Sequence, residues 1–380
     1  MNWENRRKHN IGDLLVVLIT VMGLSILSKN LFNLYTNYSL YIMFACSLMI
    51  IFTSRSILRD FFLFCLVFFV YLIVSITYNG GGFGSIITIL LFLLTLLSYT
   101  YFNLTERTCK FLVWFSLLMI VFLFSQSFIY SEDFYYHRYN SINQNTMSMY
   151  VIYFFMLLFT VSDLNNKIKK TGIIGLFIIA LIALNNYSAR GCTMALFFYM
   201  VLNFVFRKKW SNKIILLISV VVIILGIAIP FVYLSLFKNN IDIVIFGKSL
   251  YTGRESIWNN MFIALNQNKI NWLFGLGSKA ILWTGHTLNV HNDFFAVLVN
   301  FGLIGFVLYY GFLLSVIVKI SKIAQHDAYA KKALFMYISG VLMLGWFEVT
   351  TLWTTILPLT CFGLGIGYRL CKIDIIRNGV

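Results

Sequence analysis

Apolar residues along this chain fill long, nearly unbroken runs separated by short polar segments. Twelve such runs can be read, at about 11–27, 38–53, 60–77, 83–100, 110–130, 146–162, 172–186, 191–206, 214–237, 294–318, 333–350 and 352–370. A helix of about 17 to 25 apolar residues crosses ~30 Å of hydrocarbon, which is the order of these lengths. In lipid every backbone amide must be satisfied internally, and contiguous runs of this kind achieve that as helices. The pattern predicts an all-α, polytopic integral membrane protein with about twelve transmembrane helices, forming a single membrane domain over residues 1–380.

Composition excludes the alternative of a water-soluble fold. The chain is 60% hydrophobic and only 11% charged, whereas soluble domains are about half apolar and a quarter charged. The net charge of +16 would suit a polyanion, but its distribution argues against nucleic acid. With the N-terminus placed in the cytoplasm, 21 of the 29 basic residues fall in inner segments, and the net charges are +14 inside and +2 outside. That asymmetry is the positive-inside pattern of a protein with both termini cytoplasmic. The first apolar run lacks a small-residue cleavage site and reads as the first helix rather than a removable signal. The six cysteines lie in spans or at their ends with no metal spacing, so neither a disulfide framework nor a zinc site is expected.

Two outer connections break the pattern of short loops. One, from Ser131 to Asn145, is polar and aromatic. The other, 238–292, is a large extracytoplasmic loop with room for chemistry outside the membrane; loops this long are usually functional. Thr252-Gly253-Arg254-Glu255 has capping-box spacing. It opens a stretch in which Ile257, Trp258, Met261, Phe262 and Leu265 share one face, as in an amphipathic helix lying at an interface.

Ionisable groups at membrane depth are costly, so those at span ends are informative. Arg190 occupies a short break between two apolar runs on the outer side, where topology gives no reason for a cation. Arg254 falls in the first turn of the expected loop helix, where the helix dipole opposes it. A snorkelling or solvated arginine is the bland reading of each; the sharper one is a pair of guanidiniums making forked bonds to a diphosphate. His291 stands just before a long apolar run, where a neutral imidazole would serve as a proton acceptor. His286, five residues earlier, is a further candidate for the same pocket, and the outer carboxylates Asp293 and Glu348 are candidates to orient the histidine or hold a sugar hydroxyl. Arg138 lies in the Tyr135–Tyr139 cluster, whose aromatic rings suit either stacking on sugars or an interfacial belt.

Three segments together resemble the O-antigen ligase and O-antigen polymerase superfamily of bacterial membrane glycosyltransferases. They are Ser188-Ala189-Arg190-Gly191; Gly253-Arg254 followed by Ile257-Trp258 and Leu273-Phe274-Gly275-Leu276-Gly277; and His291-Asn292 followed by Gly302 and Gly305. The resemblance implies a GT-C-type membrane glycosyltransferase in the bacterial cytoplasmic membrane, with its active site on the outer face. It implies undecaprenyl-diphosphate-linked oligosaccharides as donor and acceptor, used without metal or cofactor. Carried over by residue, Arg190 and Arg254 bind the donor diphosphate and His291 is the catalytic base. The expected activity is polymerisation of lipid-linked repeat units into capsular, exopolysaccharide or O-antigen chains, probed against ligase-type transfer to another acceptor and, more remotely, a flippase of lipid-linked glycans. A chain-length regulator and a flippase are the protein partners such a pathway suggests.

Overall fold

In the computed structural model, the described residues are 59–79, 106–129, 144–162, 170–206, 211–239, 241, 244–245, 248–249, 253–277, 290–325, 328–348 and 363. The apolar runs become helices α1 (Arg59–Asn79), α2 (Glu106–Ile129), α3 (Gln144–Ser162), α4 (Lys170–Asn186), α5 (Arg190–Val205) and α6 (Asn212–Lys238). The large loop contributes a two-residue antiparallel ribbon, β1 (Val244–Ile245) with β2 (Lys248–Ser249), and two helices, α7 (Arg254–Asn266) and α8 (Lys269–Phe274). Then follow α9 (Asp293–Ala324) and α10 (Ala328–Tyr337), the latter running on through a π-turn (Ile338–Met343) and a 3₁₀ turn (Leu344–Trp346). Apart from the small ribbon, every regular element among the described residues is a helix. The expected spans 11–27, 38–53, 83–100 and 352–370 lie outside the described residues, save Gly363.

Stretches of α2, α3, α6 and α9 are long and apolar enough to cross a membrane. Helix α3 is the centre of the bundle: 89% of its apolar window is buried, against 33% for α6. It carries the run Met149 to Leu158 with every side chain fully enclosed. Helix α6 instead presents Leu217, Ile224 and Val232 outward, as expected of a helix whose other side faces lipid tails.

A second, smaller core holds the loop against the bundle. Ile257, Trp258, Met261 and Leu265 of α7 are buried with Tyr233 and Leu234 of α6 and Phe295, Leu298 and Val299 of α9. The predicted apolar face of α7 exists, but protein covers it: α6 and α9 take the place of the expected membrane interface. The start of α7 also differs from expectation. Its N-cap is Gly253 in the left-handed region, φ 84°, and no side chain caps it. Only the returning half of a capping box forms, with Gly253 N–H donating to Glu255 Oε1 at 3.1 Å.

Helix α9 is not the continuous span the apolar run suggests. Gly302 has φ 66° and ψ −174° and breaks the helix. The carbonyls this releases are taken by the loop: Leu276 N–H donates to Val299 O at 2.7 Å and Gly277 N–H to Asn300 O at 3.1 Å. Tyr71 Oη donates to Phe301 O. A Cβ on Gly302 would lie 2.3 Å from the Leu273 carbonyl, and one on Gly275 2.5 Å from the Asn300 backbone. Both glycines are there because two backbones touch, and non-helical backbone at this depth is tolerated because protein satisfies it.

Candidate active site

Arg190, Arg254, His291 and Glu348 come from four separated segments and meet at one end of the bundle. Each is fixed by its own local device. The break between α4 and α5 is a tight turn in which Ser188 takes φ 55° and Ala189 N–H donates to Leu184 O at 3.1 Å. Tyr187, fully buried, donates from its hydroxyl to Leu123 O at 2.8 Å, and Asn186 Nδ2 donates to Ser127 Oγ at 3.0 Å, so the turn is bolted to α2. Arg190 then starts α5 as its first residue. Gly191 admits Phe347: a Cβ there would sit 2.6 Å from that ring, which lets the turn bearing Glu348 press against the start of α5.

Among the described residues His291 is the other one outside glycine with positive φ, 53°. Such backbone costs free energy and persists where the surroundings impose it. Here they do so on both sides. Trp258 Nε1 donates to Val290 O at 2.7 Å from the preceding side. On the following side Asn292, completely buried, donates through Nδ2 to Gly226 O at 3.0 Å and Trp346 O at 3.2 Å. Its Oδ1 accepts from Phe295 N–H at 2.8 Å, capping α9. One asparagine therefore ties α6, α9 and the 3₁₀ turn together next to the histidine.

The side chains converge on Glu348, which is buried in the turn after the 3₁₀ segment. Its Oε2 lies 3.1 Å from His291 Nδ1. Its Oε1 accepts from Asn145 Nδ2 at 2.7 Å and forms an ion pair with Arg254 at 3.6 Å. Trp346 Nε1, donating to Val222 O at 2.8 Å, anchors this turn to α6. The side chains of Arg254 and His291 are each 20% exposed, which leaves an approach from solvent. Arg190 is half-buried.

Burial lowers the pKa of the Arg254 guanidinium; Glu348 and Tyr233 oppose that, and the like charge of Arg190 adds to it. Arginine stays protonated in proteins, so two cations are held within electrostatic reach of each other. A multiply charged anion between them would relieve the repulsion. Dipole arguments sharpen this, because Arg190 and Arg254 each open a helix, the end where a cation is disfavoured. Helix stability does not account for their placement.

The arrangement brings together four of the seven candidates read from the sequence. Asp293 is adjacent in the chain to this group but its carboxylate is buried, with Tyr310 Oη donating to Oδ2 at 3.3 Å; it faces the bundle interior. Arg138 and His286 lie outside the described residues. Asn145 was not singled out by sequence: a neutral amide at the edge of an apolar run looks like a helix-end residue, and its partner is 203 positions away. Among the described residues no group of three or more His, Cys, Asp or Glu side chains could hold a metal ion.

Residues 174–310 match the family model described as O-Antigen ligase. No curated protein matches the chain. The matched segment runs from within α4 to within α9 and contains Arg190, Arg254 and His291, whereas Asn145 and Glu348 fall outside it. The match supports the resemblance to the O-antigen ligase and polymerase superfamily over that segment, and the four long apolar helices fit a membrane protein.

Proposed function

From the O-antigen ligase match, we propose that the chain is a bacterial cytoplasmic-membrane glycosyltransferase that polymerises undecaprenyl-diphosphate-linked oligosaccharide repeat units on the outer face. In this reading it is one polytopic GT-C-type domain with both termini cytoplasmic. The observation that carries the proposal is the meeting of Arg254 and His291 on Glu348, with Arg190 within electrostatic reach of Arg254. A diphosphate presents oxygens that guanidinium forks bind well, and the imidazole sits beside it with a carboxylate on its Nδ1 side.

In the proposed reaction Nδ1–H of His291 donates to Glu348, which leaves Nε2 as proton acceptor. The acceptor sugar hydroxyl gives its proton to Nε2 while its oxygen attacks the donor's anomeric carbon. The bond from that carbon to the phosphate oxygen breaks, and undecaprenyl diphosphate departs with the electron pair. The two arginines stabilise the charge that develops there, a contribution commonly worth about 3 to 4 kcal/mol per preorganised donor. A positioned base adds about 10²- to 10⁴-fold. One displacement inverts the anomeric configuration. Glu348 is assigned to orient the base, and Asp293 to support the helix start from below.

Transfer to a different acceptor is the second reading, favoured by the description of the matched family as O-Antigen ligase. Deletion in the host, followed by analysis of surface polysaccharide and of lipid-linked intermediates, separates the two. Single repeats accumulating on the carrier support polymerisation. Long chains accumulating there support ligation, and an unchanged glycan profile overturns both.

A further inference from the structure

A carboxylate that orients a catalytic base must itself be held against rotation about its last bond. Glu348 is shared: Oε2 addresses His291, and Oε1 faces Asn145 and Arg254. The two contacts on Oε1 differ in kind. Arg254 stands at 3.6 Å, an electrostatic separation too long for a hydrogen bond. Asn145 donates from 2.7 Å. They also differ in what they hang from, because Arg254 opens a loop helix and Asn145 lies in the first turn of α3, the most enclosed of the four helices long enough to cross a membrane.

This division matters when the donor arrives. A diphosphate with its forked hydrogen bonds competes for the Arg254 guanidinium better than a carboxylate at ion-pair distance does. Glu348 then loses a cation on Oε1 at the moment when its alignment with His291 is needed. An uncharged amide is not drawn toward the diphosphate in this way. We propose that Asn145 is a positioning residue for the transfer reaction: its amide keeps the Glu348 carboxylate aimed at His291 while the donor diphosphate occupies Arg254. This rests on the glycosyltransferase reading above and adds to it a residue outside the matched family segment.

The test uses purified full-length protein and the lipid-linked glycan extracted from the deletion host. Asn145→Ala is expected to lower kcat by about 10- to 100-fold, the effect of losing a hydrogen bond to a charged group, with KM for the donor unchanged because both arginines remain. Asn145→Asp has the same shape but presents a carboxylate to Oε1. It is expected to fall at least as far, whereas a packing role predicts that it keeps more activity than alanine. Turnover is normalised to folded protein by thermal unfolding in detergent, so a loss of stability alone leaves kcat unaltered and counts against the proposal. Wild-type kcat in both variants, or a loss confined to donor KM, overturns it. Running His291→Ala in parallel separates the two levels: full activity there overturns the base assignment itself, while an inactive His291→Ala beside a normal Asn145→Ala overturns only the positioning role.

Discussion

Two residues with left-handed backbone, Ser188 and His291, stand next to or at the proposed catalytic groups. Neither is glycine, which takes this conformation without a Cβ penalty, so the surrounding hydrogen bonds hold the geometry. The proton-accepting face of His291 then depends on which nitrogen Glu348 engages. Glu348→Gln leaves the shape intact but replaces a charged acceptor with an amide that can present its NH₂ to Nδ1, favouring the wrong tautomer. We expect kcat to fall by roughly 10²- to 10⁴-fold with donor KM little changed, the range for a mispositioned general base. Radiolabelled transfer at saturating donor measures it, and a kcat within twofold of the parent protein would remove Glu348 from the mechanism. Arg190, Arg254, His291 and Glu348 were legible in the sequence because charge or imidazole beside an apolar run demands a reason. Asn145 and Asn292 were not, since an amide at a helix end already has one in capping. Only the fold shows that their partners are 203 and 66 positions away.

The elements were legible as apolar runs and illegible where one backbone touches another. A run of lipid-compatible residues reads the same whether the helix is straight or broken, so 294–318 carried no sign of the break in α9. Gly302 is unremarkable by composition, as glycine is frequent in membrane helices. Its need appears only beside Leu273 and Gly275. The start of α7 failed for a related reason: Thr252 fits the capping spacing, but Gly253 at φ 84° makes the turn. The break couples the loop to the proposed catalytic histidine, because the segment from His291 to Phe301 has that histidine at one end and accepts from Leu276 and Gly277 at the other. Gly302→Ala is therefore expected to cost at least about 1 to 3 kcal/mol from backbone strain, with the Leu273 carbonyl clash added. It should lower the unfolding midpoint in detergent and reduce transfer. Gly311→Ala, where nothing lies within 4 Å of the added Cβ, serves as the control. Equal midpoints for the two variants would mean that the loop–helix contact contributes nothing to stability.

On the scale of the whole molecule, the orientation in the membrane decides whether the proposed chemistry meets its substrate. The proposed site occupies the end of the bundle where α3, α5 and α9 begin and α6 ends. The opposite end carries Lys110, Lys170, Lys213, Lys319, Lys322, Lys331 and Lys332 near helix termini. There Lys332 Nζ donates to Phe159 O at 3.1 Å and lies over that ring at 4.0 Å, near the end of α3, so even a buried cation is accommodated on this side. The proposed topology keeps the cation-rich end in the cytoplasm and so assigns Arg190, Arg254 and His291 to the outer side. The site's own cations do not reverse this sign, since they are few and Glu348 lies among them. Single cysteines at two exposed positions test the assignment: Gln267→Cys after α7 and Ser211→Cys before α6. In intact spheroplasts a membrane-impermeant maleimide should label Gln267→Cys and leave Ser211→Cys unreacted until the membrane is permeabilised. The parent protein, with Cys109 and Cys192 buried, sets the background. The reverse pattern would place the arginines and histidine in the cytoplasm, facing nucleotide-activated sugars, and a lipid-linked donor presented on the outer leaflet could then not reach them.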